Sequence, residues 1–263
     1  MSTKEQSATL LRLNKQAQVS ALNAVGFSDI TENSRASEFG QRIKWAGGLL
    51  DLCLACNRIS DNSKAYFTAA EWNSLTAANK QLYIKRGLRI RARGLCFVIA
   101  AQECYSDTLT SLFPWGGQGK NIDGLSNKYL GAAYGCRTGE EDTDLIITAL
   151  KNQNNGGVIG APAAEVAKAY KAFTLESDGI EDDSNWYLPS LAQLILFYRY
   201  RDRIDEMMRT FWSSDSCLLT DKYYWSSTIY DASNAWGVEL NTGRVYIYAK
   251  NTSLFHVRAV TSE

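Results

Sequence analysis

The period of the apolar positions changes along the chain and divides it into a helical front, a mixed middle and a strand-rich end. From Ser37-Glu38-Phe39 onward, Ile43, Trp45, Ala46, Leu49, Leu50 and Leu52 recur at helical intervals, in a run that extends to Cys56. With the polar, turn-like stretch Asn57–Lys64 as junction, this predicts a helical N-terminal region over residues 1–65 and a second domain over 66–263. Thr68-Ala69-Ala70-Glu71 has capping-box spacing and predicts a helix reaching Arg86, closed by Gly87. Strands are expected at Leu88–Arg93 and Leu95–Ala101, and helices at Asp144–Leu150, at Ala163–Phe173 and from Pro189 through Ile204.

The C-terminal end alternates with period two. Tyr224–Thr228 precedes a loop, Ile229–Asn234, and Trp236, Val238 and Leu240 then alternate with Gly237 and Glu239 as in a half-buried strand. Asn241-Thr242-Gly243 forms a turn and Arg244–Tyr248 returns, with a final strand at Val257–Val260. If Val245 and Ile247 share the core side with Trp236, then Tyr246 and Tyr248 point the other way. There they either face solvent, as rigid contact area of the kind binding surfaces use, or pack beneath the neighbouring loop.

Composition narrows the function classes. The chain has 263 residues, 45% hydrophobic and 21% charged, enough to bury a sizeable core. Its 28 basic and 28 acidic residues balance, which argues against nucleic-acid or membrane-surface binding. Lys85, Arg86, Arg89, Arg91 and Arg93 read as the solvent face of a strand. The polar N-terminus has no secretory signal, and no apolar run is long enough to insert in a membrane. Cys53 and Cys56, read on a helix, would face one side, but no second pair or nearby histidine completes a redox or zinc site; buried free thiols are the expectation.

The single histidine, His256, restricts catalytic options, and no nucleophile elbow is present. The glycines around Trp115–Lys120 and Asn155–Gly157 fit neither a P-loop nor a dinucleotide fingerprint and read as loops. Glu140-Glu141-Asp142 and Glu181-Asp182-Asp183 lack calcium-loop spacing and read as solvated loops. No cofactor or metal is expected, and the chain is expected not to be an enzyme.

Trp186-Tyr187-Leu188-Pro189-Ser190, a following helix, Tyr224-Trp225-Ser226-Ser227-Thr228, Ala235-Trp236, Gly243, Lys250 and the closing Val257-Arg258-Ala259-Val260 occur in an order that resembles one family. These elements, with Trp115-Gly116-Gly117 upstream, are similar to the C-type-lectin-fold variable proteins encoded beside diversity-generating retroelements of Bacteroidales and their phages. They are also similar to the related formylglycine-generating-enzyme-like domains. The resemblance covers roughly residues 85–263. It implies an α+β C-type lectin fold: small antiparallel sheets, two flanking helices and long loops, here preceded by the helical N-terminal region.

It further implies a segment, about 224–258, rewritten by adenine-directed copying that turns AAY codons into NNY; within Tyr246–His256 every residue but Lys250 is NNY-encodable. The variable, ligand-binding positions carried over are Ile229, Tyr230, Asp231, Ser233, Asn234, Gly237, Tyr246, Tyr248, Asn251, Leu254, Phe255 and His256, all expected at the surface. Of these, Tyr230, Tyr246, Tyr248, Phe255 and His256 are expected to converge on one exposed face. The reading is a receptor-binding protein of a phage tail or a surface adhesin, whose partner is a protein or glycan on a target cell. The N-terminal region would serve docking or self-association. Such a protein is virion-associated or at the cell surface without a cleaved signal, and cytoplasmic before assembly. The alternatives are a fixed-specificity lectin-like adhesin and a formylglycine-generating-type enzyme; the cysteines that such an oxidase needs near its C-terminal site are missing, since none follows Cys217.

Overall fold

A computed structural model describes residues 44–45, 48–125, 128–175, 180–219 and 222–263. The chain divides into two compact units, Met1–Asp51 with Arg91–Gly94, and Leu52–Ile90 with Leu95–Glu263. In the first, β1 (Lys44–Trp45) and β2 (Gly48–Leu49) pair antiparallel, so Trp45 and Leu49, expected on a helix, lie in strands. The part of the expected N-terminal helical region before residue 44 lies outside the described residues.

The second unit departs at once from the expected elements: the end of the run read as helical, up to Cys56, and the first two residues of the expected turn, Asn57 and Arg58, form strand β3 (Asp51–Arg58), followed by β4 (Lys64–Phe67). Cys53 through Asn57 are all buried, so the strand is covered on both faces and its apolar run is continuous. A short run of that kind carries no periodicity that separates strand from helix. Cys53 and Cys56 consequently project to opposite faces of a strand.

The capping box at Thr68 forms as expected: its hydroxyl accepts from Glu71 N at 3.2 Å, and Glu71 Oε2 accepts from Thr68 N at 2.8 Å. The helix it starts, α1 (Ala69–Ser74), is short, and Thr76 caps a second turn, α2 (Ala77–Lys80). The expected continuation to Arg86 is instead strand, β5 (Tyr83–Ala92), which neighbours β6 (Leu95–Ala100). Gly87, expected to end a helix, sits within that strand, where a Cβ would come 2.2 Å from Ile99 O. Arg86, Leu88 and Ile90 share the buried phase of β5, so Arg86 does not join the solvent face assigned to it. Its guanidinium donates instead to Ser184 Oγ at 2.8 Å and Glu263 Oε1 at 2.7 Å.

Helices α3 (Leu130–Tyr134), α4 (Gly139–Leu150) and α5 (Pro162–Ala169) follow, with a small hairpin, β7 (Asn154–Asn155) and β8 (Val158–Ile159), between the last two. Glu140-Glu141-Asp142 is therefore the first turn of α4, where carboxylates favour the positive helix end, and not a loop. A second small hairpin, β9 (Thr174–Leu175) and β10 (Ile180–Glu181), precedes β11 (Trp186–Tyr187). Asp182 is buried, not solvated; it accepts from Ala172 N at 2.9 Å, Ser184 N at 3.1 Å and the Trp186 indole.

The helix expected from Pro189 begins at Leu191, with Ser190 and Gln193 forming its capping box, and a break at Tyr200 divides it into α6 (Leu191–Arg199) and α7 (Arg201–Trp212). A meander of β12 (Tyr223–Ile229), β13 (Asn234–Glu239) and β14 (Arg244–Ala249) leads to β15 (Val260–Ser262). The final strand thus starts at Val260, later than expected; before it, the carbonyls of Val257 and Ala259 accept from Cys104 N and Ala100 N.

The result is an α+β architecture with antiparallel sheets: a six-stranded sheet ordered β11-β15-β6-β5-β3-β4 and the separate three-stranded meander. One core cluster joins them through Trp115, Trp186, Trp225, Val98, Ile146 and Val257. Its indoles enter it without stranding their N–H groups: Trp115 donates to Ser226 O and Trp225 to Phe113 O, both at 2.8 Å, and Trp186 donates to Asp182.

Candidate ligand-binding face

Register decides which side chains of the meander share a face. Gly237 is opposite both Trp225 and Tyr246, and Ala235 is opposite Tyr248. On the other side Val238 is opposite Tyr224 and Val245, and Trp236 is opposite Ile247. The expected alternation of Val245 and Ile247 against Tyr246 and Tyr248 is therefore present.

Tyr246 is 49% exposed, whereas Tyr248 is half-buried, lying between the two outcomes the sequence left open. Tyr248 packs edge-on against Phe255, with centroids 4.7 Å apart, and against Tyr246 at 5.8 Å. Phe255 in turn lies 4.4 Å from Trp225 and 5.1 Å from Tyr223. The cluster closes over Gly237, where a Cβ would sit 3.2 Å from both the Phe255 and Tyr248 rings. Arg244 lies over the Tyr246 ring at 4.8 Å, a cation–π contact at the rim.

The loop end of the meander is polar. Asp231 accepts from Ser233 N and Asn234 N, both at 2.7 Å, and from Asn234 Nδ2 at 3.0 Å, closing the loop on itself. Burial pushes the Asp231 carboxyl up, but these hydrogen bonds and Lys250 outweigh it and hold it below its usual range. Tyr230 meets Tyr129 and Trp236 edge-on, at 5.4 and 5.7 Å.

Convergence of the aromatic candidates is only partial. Tyr246, Tyr248 and Phe255 come together, but Tyr230 joins Tyr129, and His256 turns away to Glu103. His256 and Phe255 are adjacent in an extended segment, so they must point to opposite sides. His256 is half-buried, with Nδ1 2.8 Å from Glu103 Oε2. The other Glu103 oxygen accepts from Tyr224 at 2.6 Å and Lys222 at 2.8 Å. Burial alone would raise the Glu103 pKa; the bonds from His256, Lys222 and Tyr224 prevail and hold it at about 2.

The expectation that all the candidates lie at the surface also needs correction. Ile229, Gly237 and Phe255 are buried; Ile229 pairs with Ala235 and faces a cleft of about 190 Å³ beside Leu125, Leu145 and Asp142. Leu254 is 52% exposed. Ser233, Asn234 and Asn251 are half-buried, the last donating to Asn155 O. Sequence reasoning missed Tyr223, which period-two alternation with Trp225 would have revealed, and Tyr129 and Glu103, for which no local signal exists.

Burial pushes the Cys56 and Cys104 thiols up to about 12, which leaves them protonated near neutrality. Among the described residues, no group of three or more His, Cys, Asp or Glu side chains is placed to hold a metal ion. Comparison with protein-family models and with curated proteins returned no match to this sequence.

Proposed function

We propose that this chain is a ligand-binding protein of the C-type lectin fold, with a C-terminal face diversified by a retroelement. Its partner is a protein or glycan on a target cell, engaged from a phage tail or as a surface adhesin. One observation carries the reading: the motifs that suggested the family, distant in sequence, are joined in space. Ser227 N donates to Pro189 O at 2.9 Å, Leu191 N donates to Thr228 Oγ1 at 3.1 Å, and the Trp115 indole donates to Ser226 O. Residues engaged in this way are a scaffold, and the side chains free to vary are those projecting from it.

On this reading the ligand meets Tyr230, Ser233, Asn234, Tyr246, Tyr248, Asn251 and Leu254. Aromatic side chains with polar tips at such a surface supply large contact area at low entropic cost. Ile229, Gly237 and Phe255 act from beneath, and His256 anchors its segment to Glu103. Sequencing the DNA downstream of the gene tests the proposal. A near-copy of the 3′ end differing at adenines, beside a reverse-transcriptase gene, is the expected result. An invariant 3′ end without such a copy would replace this reading with a fixed-specificity adhesin.

A further inference from the structure

Lys250 is fully buried, although it follows a half-exposed strand and precedes a surface turn. Its Nζ lies 4.7 Å from the Trp115 ring centroid and donates to Ala232 O at 3.1 Å. Its backbone N–H donates to Ser233 O at 3.0 Å, while its carbonyl accepts from Trp115 N at 2.7 Å and Gly116 N at 3.1 Å. Gly119 N reaches the same Ala232 carbonyl at 2.9 Å. One residue thus ties the Tyr230–Asn234 loop to the glycine-rich loop and to the end of β14.

We propose that Lys250 is the positioning residue of the loop end of the ligand face: an internal cation that turns the Ala232 carbonyl inward and leaves Tyr230, Ser233 and Asn234 at the surface. The proposal rests on the ligand-binding reading above. The charged group coupled to the ammonium is Asp231, whose carboxylate already binds the Ser233 and Asn234 amides. An ammonium within the protein, over an indole face, is attracted to oriented carbonyls and to a carboxylate in a way that a methylene chain is not.

Stability alone does not account for a lysine here. Burial lowers the Lys250 pKa to about 8, with Asp231 opposing that shift only in part, so the charged form is held at a cost. An apolar side chain of similar length would avoid that cost.

The test uses the full chain and no ligand, so a face that binds nothing would leave its outcome unchanged. Amide hydrogen exchange over the loop is compared in wild type and Lys250→Met, alongside thermal unfolding. The variant is expected to melt no lower than wild type, while exchange at Ser233 and Asn234 accelerates by about tenfold or more. Lys250→Arg, which keeps the charge, should retain protection. In wild type, protection of the same amides, corrected for intrinsic exchange, should fall between about pH 7 and about pH 9.5 as the amine loses its proton, and in Lys250→Met it should stay flat. Lys250's own contribution to global stability should not fall over that range, because folding lowers this lysine's pKa and losing the proton then favours the folded state; the comparison with Lys250→Met isolates it from the buried thiols, whose raised pKa values act in the opposite direction.

Unchanged loop protection in Lys250→Met would overturn the proposal. So would protection lost uniformly across β12, β13 and β14 together with the melting temperature, which is the behaviour of an ordinary core residue. Should Lys250→Met fail to fold, the wild-type pH profile decides alone: no pH response confined to the loop means no positioning role.

Discussion

β12 and β14 are the two outer strands of one three-stranded sheet, and they are built in opposite ways. β12 is buried from Tyr224 to Ile229, and its outer side is taken by the Phe255–His256 segment: Trp225 N donates to His256 O, and His256 N donates to Tyr223 O. β14 carries exposed and half-buried residues throughout, and among the described residues no strand other than β13 pairs with it. Both are rich in tyrosine and β-branched residues, so intrinsic strand preference does not separate them. The number of partners does. A side chain held from several directions is constrained in shape, whereas one resting on a single neighbour is free to be replaced.

The largest expected contrast is between Trp225→Ala on β12 and Tyr246→Ser on β14. Trp225 is fully buried, and truncating it should cost about 3–5 kcal/mol in urea unfolding. Equal losses for the two variants would abolish the distinction between the strands.

Next comes the anchor behind β12. A Glu103 pKa held at about 2, against an ordinary 4.5, corresponds to roughly 3 kcal/mol of stability near neutrality. Because folding depresses this pKa, the contribution is complete above about pH 4.5 and is lost as pH falls toward 2. Glu103→Gln should therefore be destabilised at pH 7, with the gap to wild type closing in unfolding curves taken down to about pH 2. A gap that does not depend on pH would mean that packing, not charge, ties His256 to the sheet.

Gly237 on the middle strand sharpens the comparison from between. An added methyl meets the Tyr224 carbonyl oxygen at 3.1 Å and the Phe255 and Tyr248 rings at 3.2 Å, and Gly237→Ala should cost about 1–2 kcal/mol. If it costs nothing, the aromatic cluster yields easily and is not a fixed floor for the face.

The smallest effect belongs to the rim. Tyr246→Ser and Leu254→Ser, at half-exposed positions, should stay within about 0.5 kcal/mol of wild type by calorimetry. A cost near that of Trp225→Ala at either position would remove it from the variable set.

Much of this contrast is written locally. Alternation alone placed Trp236 and Val238 against Tyr246 and Tyr248, and the spacing around Thr68 located a capped helix start. The failures share one cause. The stretch of β3 up to Cys56 looks helical because burial on both faces erases its period. Arg86 looks solvated because its carboxylate and hydroxyl partners, Glu263 and Ser184, lie far along the chain.

At the candidate face, the alternating tyrosines and the polar loop were legible in the sequence, because strand pleat and turn chemistry act over a few residues. Which of those residues belong to the surface was not. That Phe255 is held beside Phe113, that His256 leaves for Glu103, and that Lys250 lies over Trp115 depend on segments more than a hundred residues apart meeting in one core. Local preference sets the direction in which a side chain leaves the backbone; only long-range packing decides whether protein or water is waiting there.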